Sequence, residues 1–495
     1  MAAGFNSYTI VLIGNTVTDE TTGEVTVSGL PTKEGLATIF ERFEGTNVKI
    51  DIRLHHGLLD VTDENGEPIN IFTEYYSDVD FLSYPTFSGF FIADEPSWGQ
   101  LETIENVYVP WFNENYGGSR LEFFVNMLSG YSTAMGGLRD INGNLVTNNG
   151  TYKTGGNINA LYDGEKAYDA KVSWYLKEVT VKLTEQEKAD MTTAYHNKWL
   201  DIFAKVNSAN KCFSHDVYPF FDNQTGKIII TDAEMYEKYA NLSWLEGGYL
   251  LSDLPEDYEY VFLDSWLSRS LNIAILAKEN GYSYGACIQT FDQGGVGSPY
   301  QNHTYRAPTT LAELRWQVYM NLAMGAKKLN YFAFGQQDNG MYMCIGTDTT
   351  PIYDLVVEMN NELNAVDYVF ASFETWVGLK TFAATGKDLS TGLQMVADKG
   401  QNLDGLTNVT SVTTSKELVV GEMIDGDGNH GYMLVGYGDP MIDGEATDVS
   451  INFDGAAGFI VYRGGERTLV EAVDGVFSAT LLAGEGVFVI PVYMD

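Results

Sequence analysis

The sequence predicts an α/β chain: a (β/α)8 TIM-type barrel with seven recognisable strands, followed by an antiparallel β-sandwich. Three observations carry this. Up to about residue 335, short and almost continuously apolar runs alternate with helical stretches, the pattern of parallel strands covered on both faces. From about Val377 helical periodicity disappears, and β-rich pieces alternate with Gly, Asp and Asn turns. A length of 495 residues, 44% of them hydrophobic, 13% aromatic and 19% charged, suits two or more folded domains and excludes a disordered chain.

The barrel strands are expected at Asn6–Ile13, Val48–Leu54, Gly89–Ala93, Leu121–Leu128, Cys212–Tyr218, Tyr282–Phe291 and Leu329–Phe334. A closed barrel of this kind has eight, so either one strand escapes recognition or the chain begins one strand into the barrel. Ser97 to Gln100 and Thr310 to Glu313 have capping-box spacing and should open helices. After Thr310, Leu311, Leu314, Val318 and Leu322 give one apolar face to lay on the barrel. Ile352, Leu355, Met359, Leu363, Val366 and Phe370 do the same for a later helix. The barrel domain is expected to span residues 1–376. Within it, the Gly-, Asn- and Tyr-rich stretch at about 132–172 is too long for an ordinary connection and reads as an insertion on the rim. In the second domain, 377–495, strands are expected at Leu418–Met423, Gly431–Val435, Val449–Phe453, Gly458–Tyr462, Phe477–Leu481 and Gly486–Pro491. Asp425-Gly426 and Asp427-Gly428 mark a hairpin between the first two.

Composition narrows the functions. With 29 basic and 67 acidic residues, the formal charge of −38 repels a phosphate backbone and excludes nucleic acid as a partner. No apolar run is long enough for a membrane-spanning helix, and Tyr8–Ile13 is too short for the core of a signal peptide. Cys212, Cys287 and Cys344 are too few and too scattered for a disulfide framework or a zinc knuckle, and read as small buried hydrophobes. Phosphate-loop and dinucleotide fingerprints are missing. Adjacent His55 and His56 should point to opposite faces of a strand, which argues against a shared metal. Gly281-Tyr-Ser283-Tyr-Gly285 spells a nucleophile elbow but opens a strand, where an elbow follows one.

The sharpest chemical signal is Gly89-Phe-Phe-Ile-Ala-Asp94-Glu95-Pro96-Ser97, a buried strand ending in two carboxylates and a proline. Chemistry in parallel barrels sits at strand C-termini, and Pro96 ends the strand there. Asp94 and Glu95 then lie at the mouth on opposite sides of the pleat. The plainer alternative is that they cap the next helix. Cys212-Phe-Ser-His215-Asp216-Val-Tyr218-Pro219 repeats the pattern and supplies Asp216 as a partner carboxylate. Two carboxylates at one mouth suit glycosidic-bond cleavage, one protonating the leaving oxygen while the other attacks the anomeric carbon or activates water. His215 would tune or orient an acid, or is a buried structural histidine. Gln289 offers a hydrogen-bonding amide, and Phe291 a platform for an apolar sugar face. Asn126, Tyr131, Tyr218 and Trp98 complete the candidate substrate contacts. Paired carboxylates need no metal or organic cofactor.

Gly-Phe-Asn near the start, Asp94-Glu95-Pro96-Ser97, Phe124-Val-Asn-Met-Leu128, Ser214-His-Asp-Val-Tyr-Pro219 and the run Leu314 to Phe332 fall in that order. Together with Leu418-Val-Val-Gly-Glu422 they resemble a broad group of bacterial, largely gut-associated, glycoside-hydrolase-like TIM barrels with a trailing β-sandwich. The resemblance implies a glycan substrate and a secreted or cell-surface protein. In the large retaining clan of such barrels the acid/base is a Glu ending the fourth strand, where Glu95 sits if one strand precedes the seven. That clan's nucleophile is a Glu ending the seventh strand, where this chain has Gln289. Another group uses carboxylates on strands four and six, which Asp94 and Asp216 would match. Both assignments stand, with Glu95 as acid and Asp216 as second carboxylate ahead. The competing expectations are a carbohydrate-binding barrel without catalysis and an esterase or lyase on the same scaffold.

Overall fold

A computed structural model describes residues 4–18, 25–130, 139–145, 162–167, 177–179, 185–220, 229–230, 249–250, 261–291, 307–335, 342–345, 348–390, 393–394, 396–397, 403, 405–438 and 446–494. All seven expected barrel strands are present: β1 (Ser7–Leu12), β2 (Lys49–Leu54), β3 (Phe87–Asp94), β4 (Glu122–Leu128), β5 (Cys212–Asp216), β6 (Ser283–Gln289) and β7 (Ala326–Phe332). They form one parallel, TIM-type sheet in which each strand neighbours the one before it in the chain. The chain divides into two compact units, Phe5–Glu165 with Lys177–Ser214, and Met1–Gly4 and Lys166–Leu176 with His215–Asp495.

In the first unit the register runs Ser7↔Lys49 between β1 and β2, Ile52↔Phe90 between β2 and β3, and Asp94↔Asn126 between β3 and β4. Ile50, Ile52 and Leu54 are almost fully buried, whereas Asp51 and Arg53 alternate with them on the other side of the pleat. Ser88 donates to Asp51 Oδ1 at 2.6 Å, so this buried carboxylate has a partner. Helices α1 (Lys33–Arg42), α2 (Ile71–Tyr76), α3 (Trp98–Thr103), α4 (Val109–Tyr116) and α5 (Glu185–Ala204) follow. Helix α3 opens on the expected capping box, with Ser97 accepting from Gln100 N and Gln100 from Ser97 N. A π-helical turn, Ile104–Tyr108, joins α3 to α4, where Pro110 lacks the N–H that a regular turn would use. Glu105 on that turn is held by Lys198 of α5 and by Lys205 just beyond its end.

In the second unit α6 (Val261–Glu279) precedes β6, and α7 (Leu311–Ala323) and α8 (Pro351–Ser372) flank β7. Thr310 and Glu313 form the second expected capping box. The expected single apolar face of α7 is too narrow a reading. Trp316, Gln317, Tyr319, Met320, Asn321 and Ala323 are buried as well as Leu314, Val318 and Leu322. The helix packs on β6 and β7 and also beneath the sheet that follows, so both sides of it are covered.

Among the described residues the sandwich has nine strands: β8 (Thr375–Phe382), β9 (Val409–Thr414), β10 (Leu418–Ile424), β11 (His430–Gly436), β12 (Thr447–Phe453), β13 (Ala456–Arg463), β14 (Glu466–Glu471), β15 (Val476–Leu481) and β16 (Gly486–Tyr493). Six of them make an antiparallel sheet in the order β8-β10-β11-β16-β13-β14, and β9-β12-β15 make the second. Leu418, Val420, Tyr432, Leu434, Phe459 and Val489 of the first sheet pack with Ile451, Phe453 and Phe477 of the second. The expected hairpin joins β10 to β11 with Ile424 opposite His430. Asp425 holds it by accepting from the backbone N–H groups of Asp427 and Asn429. On the outer face Gly421 approaches α7 so closely that a Cβ would lie 1.9 Å from Ala323 O, a contact only glycine permits. Trp376 Nε1 donates to that same carbonyl at 2.9 Å and so caps the end of α7.

Candidate active site

In the first unit four successive strands deliver one side chain each to a polar chain of contacts at their C-terminal ends. Arg53 Nη1 of β2 lies 3.0 Å from Asp94 Oδ2 of β3. Asn126 Nδ2 of β4 donates to Asp94 Oδ1 at 2.9 Å, and Ser214 Oγ of β5 donates to Asn126 Oδ1 at 2.8 Å. The serine fixes which way the Asn126 amide faces, because its oxygen is taken and only its NH2 is left for Asp94. Both oxygens of Asp94 are thereby engaged, one by a cation and one by an amide. Arg53 also lies over the Phe91 ring at 5.6 Å, and Phe91 stacks on Phe124 at 4.5 Å, which steadies the guanidinium.

Glu95 follows directly, half-buried, with its N–H donating to Asn126 O at 2.8 Å. Its backbone is left-handed, at φ 48°. Among the described residues the other non-glycine positions with positive φ are Asn408 and Asp474, residue types that tolerate this region, whereas a Glu does so at a cost. Neither Asp94 nor Glu95 is the N-cap of α3, because Ser97 fills that role. Gln100, with its capping oxygen on Ser97, turns its NH2 to Asp60 Oδ2 at 2.9 Å and to His56 O, tying α3 to the segment after β2.

Trp98 is buried rather than open at the rim. The Arg139 guanidinium lies over its ring at 4.6 Å, and Gly143, at φ +78°, comes so close that a Cβ would sit 2.7 Å from the indole. This described part of the rim insertion therefore covers the tryptophan. Tyr131 lies outside the described residues, as does most of 132–172. The rings of His55 and His56 are 4.6 Å apart, against the expectation of opposite faces. The extended backbone ends there and a 3-10 turn begins at His56, so strand alternation no longer applies. Burial, then His56 and Arg53, lower the His55 pKa and favour its neutral form. Among the described residues no group of three or more potential ligands is placed to hold a metal.

In the second unit Asp216 ends β5, half-buried, with the Tyr218 hydroxyl 3.4 Å from its Oδ2. Tyr218 meets Phe291 edge-on at 4.9 Å. Phe291 in turn meets Phe332 at 5.2 Å and stacks with Tyr342 at 6.2 Å, an aromatic wall beside the carboxylate. His215 is buried with Nε2 3.3 Å from Ser270 Oγ of α6, and as the neighbour of Asp216 on a pleated strand it points to the other side. Gln289 is fully buried, and its side-chain amide is already paired. Phe220 N donates to its Oε1, and its Nε2 donates to Phe220 O, each at 2.9 Å, as a paired peptide would. Gln317 repeats the device on the backbone N–H and C=O of Gln289.

Sequence reasoning singled out Asp94, Glu95, Asn126 and Asp216 and gave no role to Arg53 or Ser214, which contact Asp94 and Asn126 respectively. For Arg53 a signal existed: polar Asp51 and Arg53 alternate with Ile50, Ile52 and Leu54, which marks a strand face turned away from the helices.

No family model matches the chain, and no curated relative matches it. Among solved structures, α-galactosidase I from Mortierella vinacea aligns over 99% of this chain and 88% of its own, at 8% identity and a TM-score of 0.42. The putative α-galactosidase/melibiase from Bacteroides fragilis aligns over 93% and 76%, at 10% identity and a TM-score of 0.37. A putative α-N-acetylgalactosaminidase from Bacillus halodurans aligns over 94% of each chain, at 8% identity and a TM-score of 0.34.

Proposed function

We propose that this chain is a glycoside hydrolase that cleaves a glycosidic bond in an oligosaccharide or polysaccharide, with Glu95 as general acid, Asp216 as the second carboxylate and Asp94 as the residue that orients the pair's surroundings. The observation that carries the reading is the left-handed backbone of Glu95 beside a fully engaged Asp94. A long acidic side chain at a strained position after a barrel strand, with helix capping supplied by Ser97, is hard to explain by folding alone.

In this reading Glu95 protonates the glycosidic oxygen as the bond to the anomeric carbon breaks, and Asp216 stabilises the developing positive charge, by attack or by activating water. Asp94, bound by Arg53 and Asn126, holds the strand end beside Glu95 in place. Phe291, expected as a sugar platform, is buried together with Tyr342 as backing for the cluster, so it is the half-buried Tyr218 and Phe332 that would meet the apolar face of a sugar ring. The chemistry asks for no cofactor, and a glycan substrate of this kind suits a secreted or surface protein.

The test is reducing-end release from a panel of host and plant glycans by the wild type, Glu95→Gln and Asp216→Asn, with folding checked by circular dichroism. Cleavage by wild type, and folded but inactive variants, is the expected result. The reading fails if Glu95→Gln keeps wild-type turnover on a substrate the wild type cleaves, or if the intact chain cleaves nothing and merely binds.

A further inference from the structure

The outer edge of the six-stranded sheet is β14, the last strand in its order. All six of its residues, Glu466–Glu471, are exposed, Leu469 to 73%, and Val473 just beyond is 74% exposed. A bare edge strand of this kind is a template for another strand. What it would accept is set by its own backbone.

Ala472 N–H donates to Ala457 O at 3.1 Å, and the β13–β14 register runs from Gly458↔Glu471 to Arg463↔Glu466. Hydrogen-bonded and non-hydrogen-bonded pairs alternate along an antiparallel ladder. The N–H and C=O groups of Glu466, Thr468 and Val470 therefore face β13, and those of Arg467, Leu469 and Glu471 face away from the sheet. Two such edges related by a twofold axis must set outward groups against outward groups. With the axis at Leu469, Leu469 meets Leu469 of the second copy and Arg467 meets Glu471 twice. The shifted register that would oppose Glu466 to Glu471 mixes inward and outward groups and is unavailable. Arg467, Leu469 and Glu471 also share one face, so each cross-strand pair joins side chains as well as backbones.

We propose that β14 is a homodimerisation edge, through which two copies of this chain form one continuous twelve-stranded sheet across an antiparallel Leu469-centred contact. The pairing consumes the edge on both copies and so closes without leading to fibres. In the single chain Arg467 lies directly opposite Tyr462 on the adjoining strand. Each copy carries a formal charge of −38, so long-range repulsion opposes association and added salt should strengthen it.

Sedimentation of the full chain over a concentration series at low and high NaCl tests this, with Arg467→Glu, Glu471→Arg and the double variant compared and thermal melts run alongside. The expected result is a concentration-dependent dimer that tightens with salt. Each single reversal should weaken it about tenfold or more, because both symmetric pairs become repulsive, and the double swap should restore it to within a few-fold. A chain that stays monomeric at every concentration overturns the proposal. So does a dimer indifferent to both single reversals, or a double swap that melts like wild type yet fails to dimerise.

Discussion

His196 on α5 is the clearest source of acid sensitivity in the first unit. The ring is buried, its Nε2 donates to Leu128 O at 2.9 Å, and Phe213 meets it edge-on at 6.0 Å. Burial drives its pKa down to about 4, against a weaker upward pull from the Leu128 carbonyl. The folded state thus refuses a proton that the unfolded chain accepts below about pH 6.5. Stability from this group is complete above that pH and is lost as pH falls toward 4, below which both states are protonated. At about 1.4 kcal/mol per pH unit the whole window is worth roughly 3 kcal/mol, of which about 2 has gone by pH 5. Falling pH also relieves repulsion among the acidic side chains, so the measurement is a difference. Urea unfolding of wild type and His196→Gln is followed from pH 7.5 to 5 through a probe in the first unit. The stability gap between the two should shrink by about 2 kcal/mol on acidification. In parallel, the imidazole signal of His196 should stay unmoved through pH 6 while exposed histidines titrate. A gap that stays constant, or a His196 signal with a midpoint near 6.5, would refute the reasoning.

Other perturbations have equally definite outcomes. Gly421→Val should cost about 3 kcal/mol, seen as a lower melting temperature of the second unit, because its side chain has nowhere to go but the Ala323 carbonyl. Gln289→Glu should lose about 2 kcal/mol, since a carboxylate cannot donate to Phe220 O, and should speed proteolysis near that residue. If Gln289→Glu melts like wild type, the clamp is not contributing. Glu95→Gly should keep or raise stability by up to about 1 kcal/mol, as glycine accepts the left-handed backbone, while glycan cleavage disappears. A clear fall in melting temperature would show that the position is not strained.

Strands β3 and β4 were legible because burial on both faces writes itself as unbroken apolar runs, as in Phe123-Phe124-Val125 of β4. Capping boxes and the Asp-Gly hairpin are local devices, and local devices read directly. What sequence could not supply was the second partner of each contact. Helix α7 looked one-faced because the strands that cover its other side come a hundred residues later. Strands β8, β9 and β14 escaped notice because edge positions tolerate Thr, Lys, Arg and Glu. At the candidate site, the Asp94-Glu95-Pro96 ending announced itself, yet what sets the two acids apart in the structure is a contact from Arg53, forty-one residues earlier, and a backbone angle. Gln289 looked like a ligand-binding amide because nothing in the sequence reveals that its partner is the Phe220 main chain.

The burial of α7 on two sides means that the trailing β-sandwich is not a detachable module. A chain ending before Trp376 would lose the indole that caps the helix at Ala323 and would uncover Tyr319, whose ring lies against Gly486 of β16. Such a chain would offer an oily helix to its neighbours in solution. Appending this sandwich to an unrelated barrel would fail for the mirror-image reason, since Gly421 and Gly486 are shaped for one particular helix and would face a gap against any other.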